Sequence, residues 1–200
     1  MLAMQTITDD ITSKPVVAAR AMREQYPTTP DIDARGPSTR PMSLLGTEAP
    51  DFTLERTAGD EVTLSETLES GPTVVLVNRG HWCSFCAEQL QTFDEVAYDL
   101  WFNDGVDVLP VVTSELGDLT EMRDRFDFDF QLAADPDGSV ADEYSGTEET
   151  SHGVTGIAGT YVVDEDGIVQ YEQVADHPAD RTYGNWVRYF IRNDYEDIFA

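Results

Sequence analysis

The chain has 200 residues, 40% of them hydrophobic, which is enough to bury one sizeable core and predicts a single domain with tails. Its formal charge is −27, from 39 acidic residues against 12 basic ones, and the excess is spread along the chain with no run of five like charges. Nucleic acid is excluded as a partner, because phosphate needs a basic stripe. The acidity is instead expected of a salt-filled cytoplasm, since at molar salt the screening length falls to roughly 3 Å and self-repulsion becomes local.

The opening residues MLAMQTITDD lack both the basic and the apolar region of a secretory leader, and no uncharged apolar stretch of about 18 residues occurs. A soluble, cytoplasmic protein with no membrane contact is the expectation. Residues 1–43 are polar and broken by prolines, and read as a partly helical or flexible extension. Within it SKPVVAARAMREQY fits a helix capped by Ser13 with Pro15 in its first turn. Residues 44–200 carry the patterns of a folded domain. Alternating runs around Phe52 to Leu54 and Val62 to Leu64 flank the turn AGD and predict an opening hairpin.

TVVLVN, residues 73–78, is continuously apolar and β-branched, as expected of a strand buried on both faces. Phe85, Leu90, Phe93, Val96, Ala97, Leu100 and Trp101 then recur at spacings near three and four, predicting an amphipathic helix over 84–102. VDVLPVVTS reads as a second buried strand, and Ser114 as the cap of a helix through Phe126. After a short helix in PDGSVADEYSG, the segment GTYVVDEDGIVQYEQVAD reads as two strands joined at DEDG. Residues 182–199, with Trp186, Val187, Phe190, Ile191 and Ile198, close the chain as an amphipathic helix. A β-α-β half followed by a β-β-α half around one sheet resembles the thioredoxin arrangement. The fold class expected is therefore α/β, with a central mixed β-sheet flanked by helices.

The chain's two cysteines, Cys83 and Cys86, lie in VNRGHWCSFCAEQL, where the strand ends and the helix begins. Unpaired N–H groups and the positive end of a helix dipole gather at such a junction. They favour thiolate over thiol and can bring a cysteine pKa from about 8.5 to roughly 3.5–7.5. Two intervening residues let one helical turn bring the sulfurs within bonding distance, so position and spacing point to thiol–disulfide exchange. In a reducing compartment such a pair is catalytic or metal-binding rather than a staple. Zinc would need two more ligands, but no cysteine remains and His81, His152 and His177 form no paired motif, so neither metal nor cofactor is expected.

Arg79, at the strand end, reads either as a cation that stabilises the thiolates or as a solvent-facing side chain. Trp82 and Phe85 either cover the disulfide and help dock a partner or pack against the sheet. His81 reads as a loop residue, and Glu88 as an exposed helix glutamate rather than a proton acceptor.

The run RGHWCSFCAEQL, with APDFTL before it and GTYVVDEDGIVQY after it, resembles the alkyl hydroperoxide reductase and thiol-specific antioxidant family, in its CxxC-bearing, peroxiredoxin-like branch. The match covers roughly residues 44–198. It implies a thioredoxin-like fold with an N-terminal β-hairpin, and reduction of hydroperoxides or exchange of disulfides with electrons from a thioredoxin-like donor. Cys83 and Cys86 become the catalytic pair, supported by Arg79, Trp82 and Thr160. The partners implied are a hydroperoxide or disulfide substrate and that reductant; a homodimer stays open.

Two assignments of the cysteines follow from the resemblance. The peroxiredoxin Thr-x-x-Cys motif puts the attacking cysteine at Cys86 and Cys83 in the threonine's place, whereas a thioredoxin attacks with the first cysteine, here Cys83. The leading expectation is that Cys86 attacks peroxide and Cys83 resolves the sulfenate. The sequence departs from both patterns. The peroxide-holding arginine two residues before Thr160 is Ala158, and no proline between Pro136 and Pro178 matches the thioredoxin cis-proline. Arg79 is expected to replace the missing cation. The competing expectations are a protein disulfide oxidoreductase led by Cys83 and a redox-sensing interaction protein that does not turn over.

Overall fold

The computed structural model describes residues 41–193. The helix expected after Ser13 and the position of Ile198 lie outside the described residues. In chain order the elements are β1 (Thr53–Glu55), β2 (Glu61–Thr63), α1 (Leu64–Leu68), β3 (Thr73–Asn78), and α2 (Ser84–Asp99), which runs on into a π-helical turn at Leu100–Asp104. There follow β4 (Asp107–Val112), α3 (Leu116–Phe126), β5 (Ala133–Ala134), α4 (Ser139–Tyr144), β6 (Thr147–Thr150), β7 (Gly153–Gly156), β8 (Gly159–Val163), β9 (Val169–Val174) and α5 (Gly184–Asn193).

Five strands form one mixed sheet in the order β5-β4-β3-β8-β9. β3 runs parallel to β4, and β4 to β5, whereas β8 is antiparallel to both β3 and β9. All six residues of β3 are buried, as its unbroken apolar run predicts for a strand covered on both faces. Val74 and Leu76 pack among Leu90, Phe93, Leu119 and Phe190, in the layer supplied by α2, α3 and α5. Val75 and Val77 point the other way, toward Leu64, Val140 and Tyr144 of α1 and α4. Each such side chain contributes about 1.5–3 kcal/mol by leaving water, so the alternation along β3 ties both helical layers to one strand. The architecture is the α/β, thioredoxin-like one, and the hairpin β1–β2 pairs Thr53 with Thr63 as the opening pattern predicts.

Two buried contacts set how α2 meets its neighbours. Gln89, fully buried one turn beyond Cys86, donates from Nε2 to the Thr160 hydroxyl on β8 at 3.1 Å and to the Thr182 carbonyl at 2.9 Å. A Cβ on Gly184 would run into the Thr92 carbonyl of α2, so only glycine lets α5 begin this close; its N–H is received by the Thr92 hydroxyl at 3.0 Å. Together they hold the loop between β9 and α5 against the first turns of α2.

The structure corrects two local expectations and adds one element. Phe85 and Trp101, counted on the buried stripe of α2, are 39% and 58% exposed, because each falls beyond the face shared by Leu90, Phe93 and Leu100. Glu115, not Ser114, occupies the cap of α3, and the Ser114 hydroxyl instead accepts the His81 backbone N–H at 3.0 Å. The hairpin β6–β7 is additional to the sequence reading: TEETSHGVTG is polar and largely exposed, so it carries no alternating pattern to betray two paired strands.

Candidate active site

β3 ends at Asn78, and the five residues Arg79 to Cys83 turn the chain into α2. Cys83 is the N-cap: its backbone is extended, its carbonyl accepts the Ala87 N–H at 3.0 Å, and its sulfur accepts the Cys86 N–H at 3.3 Å. A sulfur is thus put where serine or aspartate usually satisfies the first free helix donors. No acidic residue stands in the first turn of α2, so the positive end of the helix faces the dithiol uncompensated. Both cysteines are free thiols and buried, Cys83 4% exposed and Cys86 not at all.

Their acidities diverge. The Cys86 thiol and backbone N–H both donate to Cys83, and Arg181 and then Arg79 add positive charge; against the opposing effect of burial these bring Cys83 from 9.0 down to about 6. Burial, followed by the neighbouring Cys83 charge, pushes Cys86 well above the usual thiol range. The two shifts run in opposite directions, so Cys83 is the sulfur that more readily becomes a thiolate, with Cys86 as its hydrogen-bond donor.

The cation at the sulfurs is Arg181, which the sequence reading missed. Its Nη2 lies 3.6 Å from the Cys86 sulfur and 4.0 Å from that of Cys83. Its neighbour Thr182 is buried, is linked to the Tyr171 hydroxyl at 2.9 Å, and offers its carbonyl to Gln89. The same arginine lines a narrow cleft with Arg79, Ala158, Ala175 and Pro178, with room for about one water molecule. Ala158, the small residue where the resembled family has its arginine, thus borders space that Arg181 reaches from another part of the chain.

The other candidates fall around this centre. Arg79 donates from Nε and Nη2 to one oxygen of Glu148 on β6, at 3.1 and 2.8 Å, and lies 5.2 Å above the Trp82 ring. It is ion-paired with that carboxylate, and its charge still helps to lower the Cys83 pKa, after that of Arg181. Trp82 stacks on His152, between β6 and β7, at 3.9 Å and 11°. His81 shares a hydrogen bond with Ser114 through Nδ1 at 3.0 Å, and Glu88 is exposed. Thr160, buried on β8, accepts the Gln89 Nε2–H at 3.1 Å and, among the described residues, makes no bond to either sulfur. Among the described residues no cluster of histidine, cysteine, aspartate and glutamate is arranged to hold a metal ion, and no helix is long and apolar enough to cross a membrane.

A thioredoxin-like fold with a dithiol capping the helix after its central strand defines a class of cysteine-based redox proteins. Within that class a family model, AhpC/TSA, matches residues 45–172, and the chain belongs to this family. It is 28% identical over 126 residues to the chloroplastic peroxiredoxin Q of japonica rice and, equally, to a putative peroxiredoxin Q of indica rice; the match covers 63% of this chain. The chain spans 57% of the length of those relatives.

Solved structures share the fold at low identity. Peroxidoxin BcpB of Mycobacterium tuberculosis superposes with a TM-score of 0.64 at 18% identity, over 75% of this chain and 95% of its own. The reduced 2-Cys peroxiredoxin of Plasmodium vivax gives 0.67 at 16%, over 79% and 85%. A putative protein disulfide isomerase of Bacteroides thetaiotaomicron gives 0.61 at 17%, over 82% and 96%.

Proposed function

We propose that the protein is a thiol peroxidase in which Cys83 attacks and Cys86 resolves. The observation that carries this reading is the placement of the Cys83 sulfur at the cap of α2, hydrogen-bonded by the Cys86 N–H and faced by Arg181, in a chain of the AhpC/TSA family. The Cys83 thiolate attacks the distal oxygen of ROOH, the O–O bond breaks, and RO⁻ leaves and takes a proton as ROH, so that Cys83 becomes a sulfenic acid. The Cys86 sulfur, having lost its proton, then attacks the Cys83 sulfur, expelling the oxygen as water and closing the Cys83–Cys86 disulfide. A thioredoxin-like dithiol restores the pair through a mixed disulfide. These roles are the reverse of the peroxiredoxin correspondence, and burial is the reason: desolvation of the fully buried Cys86 outweighs the nearby Arg181 charge and raises its pKa, which makes it a poor first nucleophile.

A second reading, exchange with protein disulfides, has one observation in its favour. The stabilised thiolate is the first cysteine of the CxxC, the one such exchangers use, and Phe85 beside it is partly exposed. Stopped-flow tryptophan fluorescence separates the two, because Trp82 adjoins the pair. Reduced protein mixed anaerobically with hydrogen peroxide in molar KCl should react orders of magnitude faster than a free thiolate, and the fast phase should vanish in Cys83→Ser. A rate no faster than a free thiolate, with brisk reduction of insulin, selects disulfide exchange.

A further inference from the structure

Cys86 poses a problem for the second half of either reaction. It is fully buried, its acidity is suppressed by burial, and among the described residues neither a carboxylate nor a histidine is bonded to its sulfur. Yet it must act as a thiolate when Cys83 carries a sulfenic acid or a mixed disulfide. Arg181 is placed to meet that need. Its Nη2 sits nearer the Cys86 sulfur, 3.6 Å, than the Cys83 sulfur, 4.0 Å, and its Nε is buried with no hydrogen-bond partner among the described residues. Its Nη1 donates to the Asp180 carbonyl at 3.0 Å, and the next residue, Thr182, is anchored by Gln89 and Tyr171.

We infer that Arg181 serves the two sulfurs in turn, stabilising the Cys83 thiolate for the first attack and then, once that charge is consumed in a bond to oxygen or sulfur, the Cys86 thiolate for the second. This deepens the reading above and rests on Cys83 attacking first. Before the first step Cys83 and Cys86 compete for one guanidinium, and the Cys83 charge itself disfavours a second anion beside it. After that step Cys83 is neutral, the repulsion is gone, and the cation faces only Cys86.

Of the other charged groups around the dithiol, Arg79 is ion-paired with Glu148 and adds its charge at Cys83 after that of Arg181, while His177 lines the adjoining cleft without a bond to either sulfur. The handover therefore falls to Arg181, whose guanidinium is hydrogen-bonded to both sulfurs.

The test uses a small aromatic disulfide, dithiobis(nitrobenzoate), so that it does not depend on peroxide turnover. The Cys83 thiolate attacks one sulfur of the reagent, releasing one thionitrobenzoate anion and forming a mixed disulfide. Cys86 then displaces the second thionitrobenzoate and closes the Cys83–Cys86 bond. In reduced wild type the two equivalents should be released in rapid succession, and Cys86→Ser should stop after one. Arg181→Met should slow the second release at least as much as the first, by about tenfold or more, leaving a mixed disulfide at Cys83 that mass spectrometry detects. Arg181→Lys should restore the second release in part, a rescue that a purely structural loss would not give.

In a parallel experiment with peroxide, the Met variant should accumulate a dimedone-reactive sulfenate at Cys83. If Arg181→Met slows only the first release, or if Lys rescues neither step while circular dichroism stays native, the handover is overturned. If peroxide fails with every variant while the aromatic disulfide behaves as described, the peroxidase reading falls and the handover stands.

Discussion

Arg79 stands at the end of β3, four residues before Cys83, whereas Arg181 stands in the loop between β9 and α5, 98 residues after it. Both bring a guanidinium to the dithiol region, and their surroundings decide which one acts. Arg79 is clamped from the side by Glu148 and from below by the Trp82 ring, which in turn stacks on His152, so its charge serves to pin the hairpin β6–β7 to the active-site turn. Arg181 makes no ion pair among the described residues and offers its Nη2 to both sulfurs. Nearness in sequence is thus a poor guide to electrostatic effect. A cation already paired with a carboxylate perturbs a neighbouring thiol less than an unpaired one does, and of the two charges Arg181 acts on Cys83 ahead of Arg79.

The comparison can be broken most forcefully at the thiolate itself. Replacing Cys83 by serine should reduce the rate of the first oxidative step by at least about 100-fold, because a hydroxyl at the same cap is far less nucleophilic; rapid-mixing fluorescence reads it directly. Next come the two arginines. Arg181→Met should raise the midpoint of Cys83 alkylation by about one pH unit or more, while Arg79→Gln should move it by less than about half a unit. A larger shift from Arg79 would mean that Glu148 does not neutralise it.

The order should reverse for stability. Arg79→Gln leaves the Glu148 carboxylate, only 16% exposed, without its partner and should cost about 1–3 kcal/mol in urea unfolding, more than Arg181→Met. The dithiol also makes stability depend on pH. Because the folded pKa of Cys83 is depressed to about 6 from 9.0, the unfolded chain binds more protons between those values. Its contribution is therefore complete above about pH 9 and is lost as pH falls through about 6. Cys86, whose folded pKa is raised, contributes in the opposite sense and loses its share as pH rises past the unfolded value. Reduced protein should accordingly be most stable against urea on the alkaline side of neutrality, declining on both sides, and a Cys83→Ser/Cys86→Ser double variant should lack both slopes. The smallest effect expected is that of His152→Ala, which removes one ring stacked on Trp82 and should cost less than about 1 kcal/mol in the same assay.

Much of this was legible before the fold was known, for reasons that can be named. β3 and β8 are buried on both faces, so their runs are apolar without interruption, and the DEDG turn between β8 and β9 carries the glycine, Gly167 at φ 81, that such a turn needs. The CxxC could be placed at a helix cap because a strand pattern ended just before it. Exposure of Phe85 and Trp101 was not legible, since helical spacing near three and four tolerates a residue drifting off the buried stripe. Arg181 was hidden most completely. It lies in the irregular stretch ADHPADRTYG, which has neither period, and its partners are the sulfurs, far away in sequence. One signal was available: with 12 basic residues in a chain of charge −27, each arginine is a scarce cation and worth weighing as a thiolate partner.

The most direct test of the central claim is the pH profile of alkylation of each cysteine in the reduced wild type, using brief exposure to iodoacetamide and peptide mass spectrometry to assign the label. Cys83 should be labelled with a midpoint near pH 6, while Cys86 stays unlabelled across the neutral range. Labelling of Cys86 first, or a Cys83 midpoint near that of an ordinary thiol at about 8.5, would contradict it.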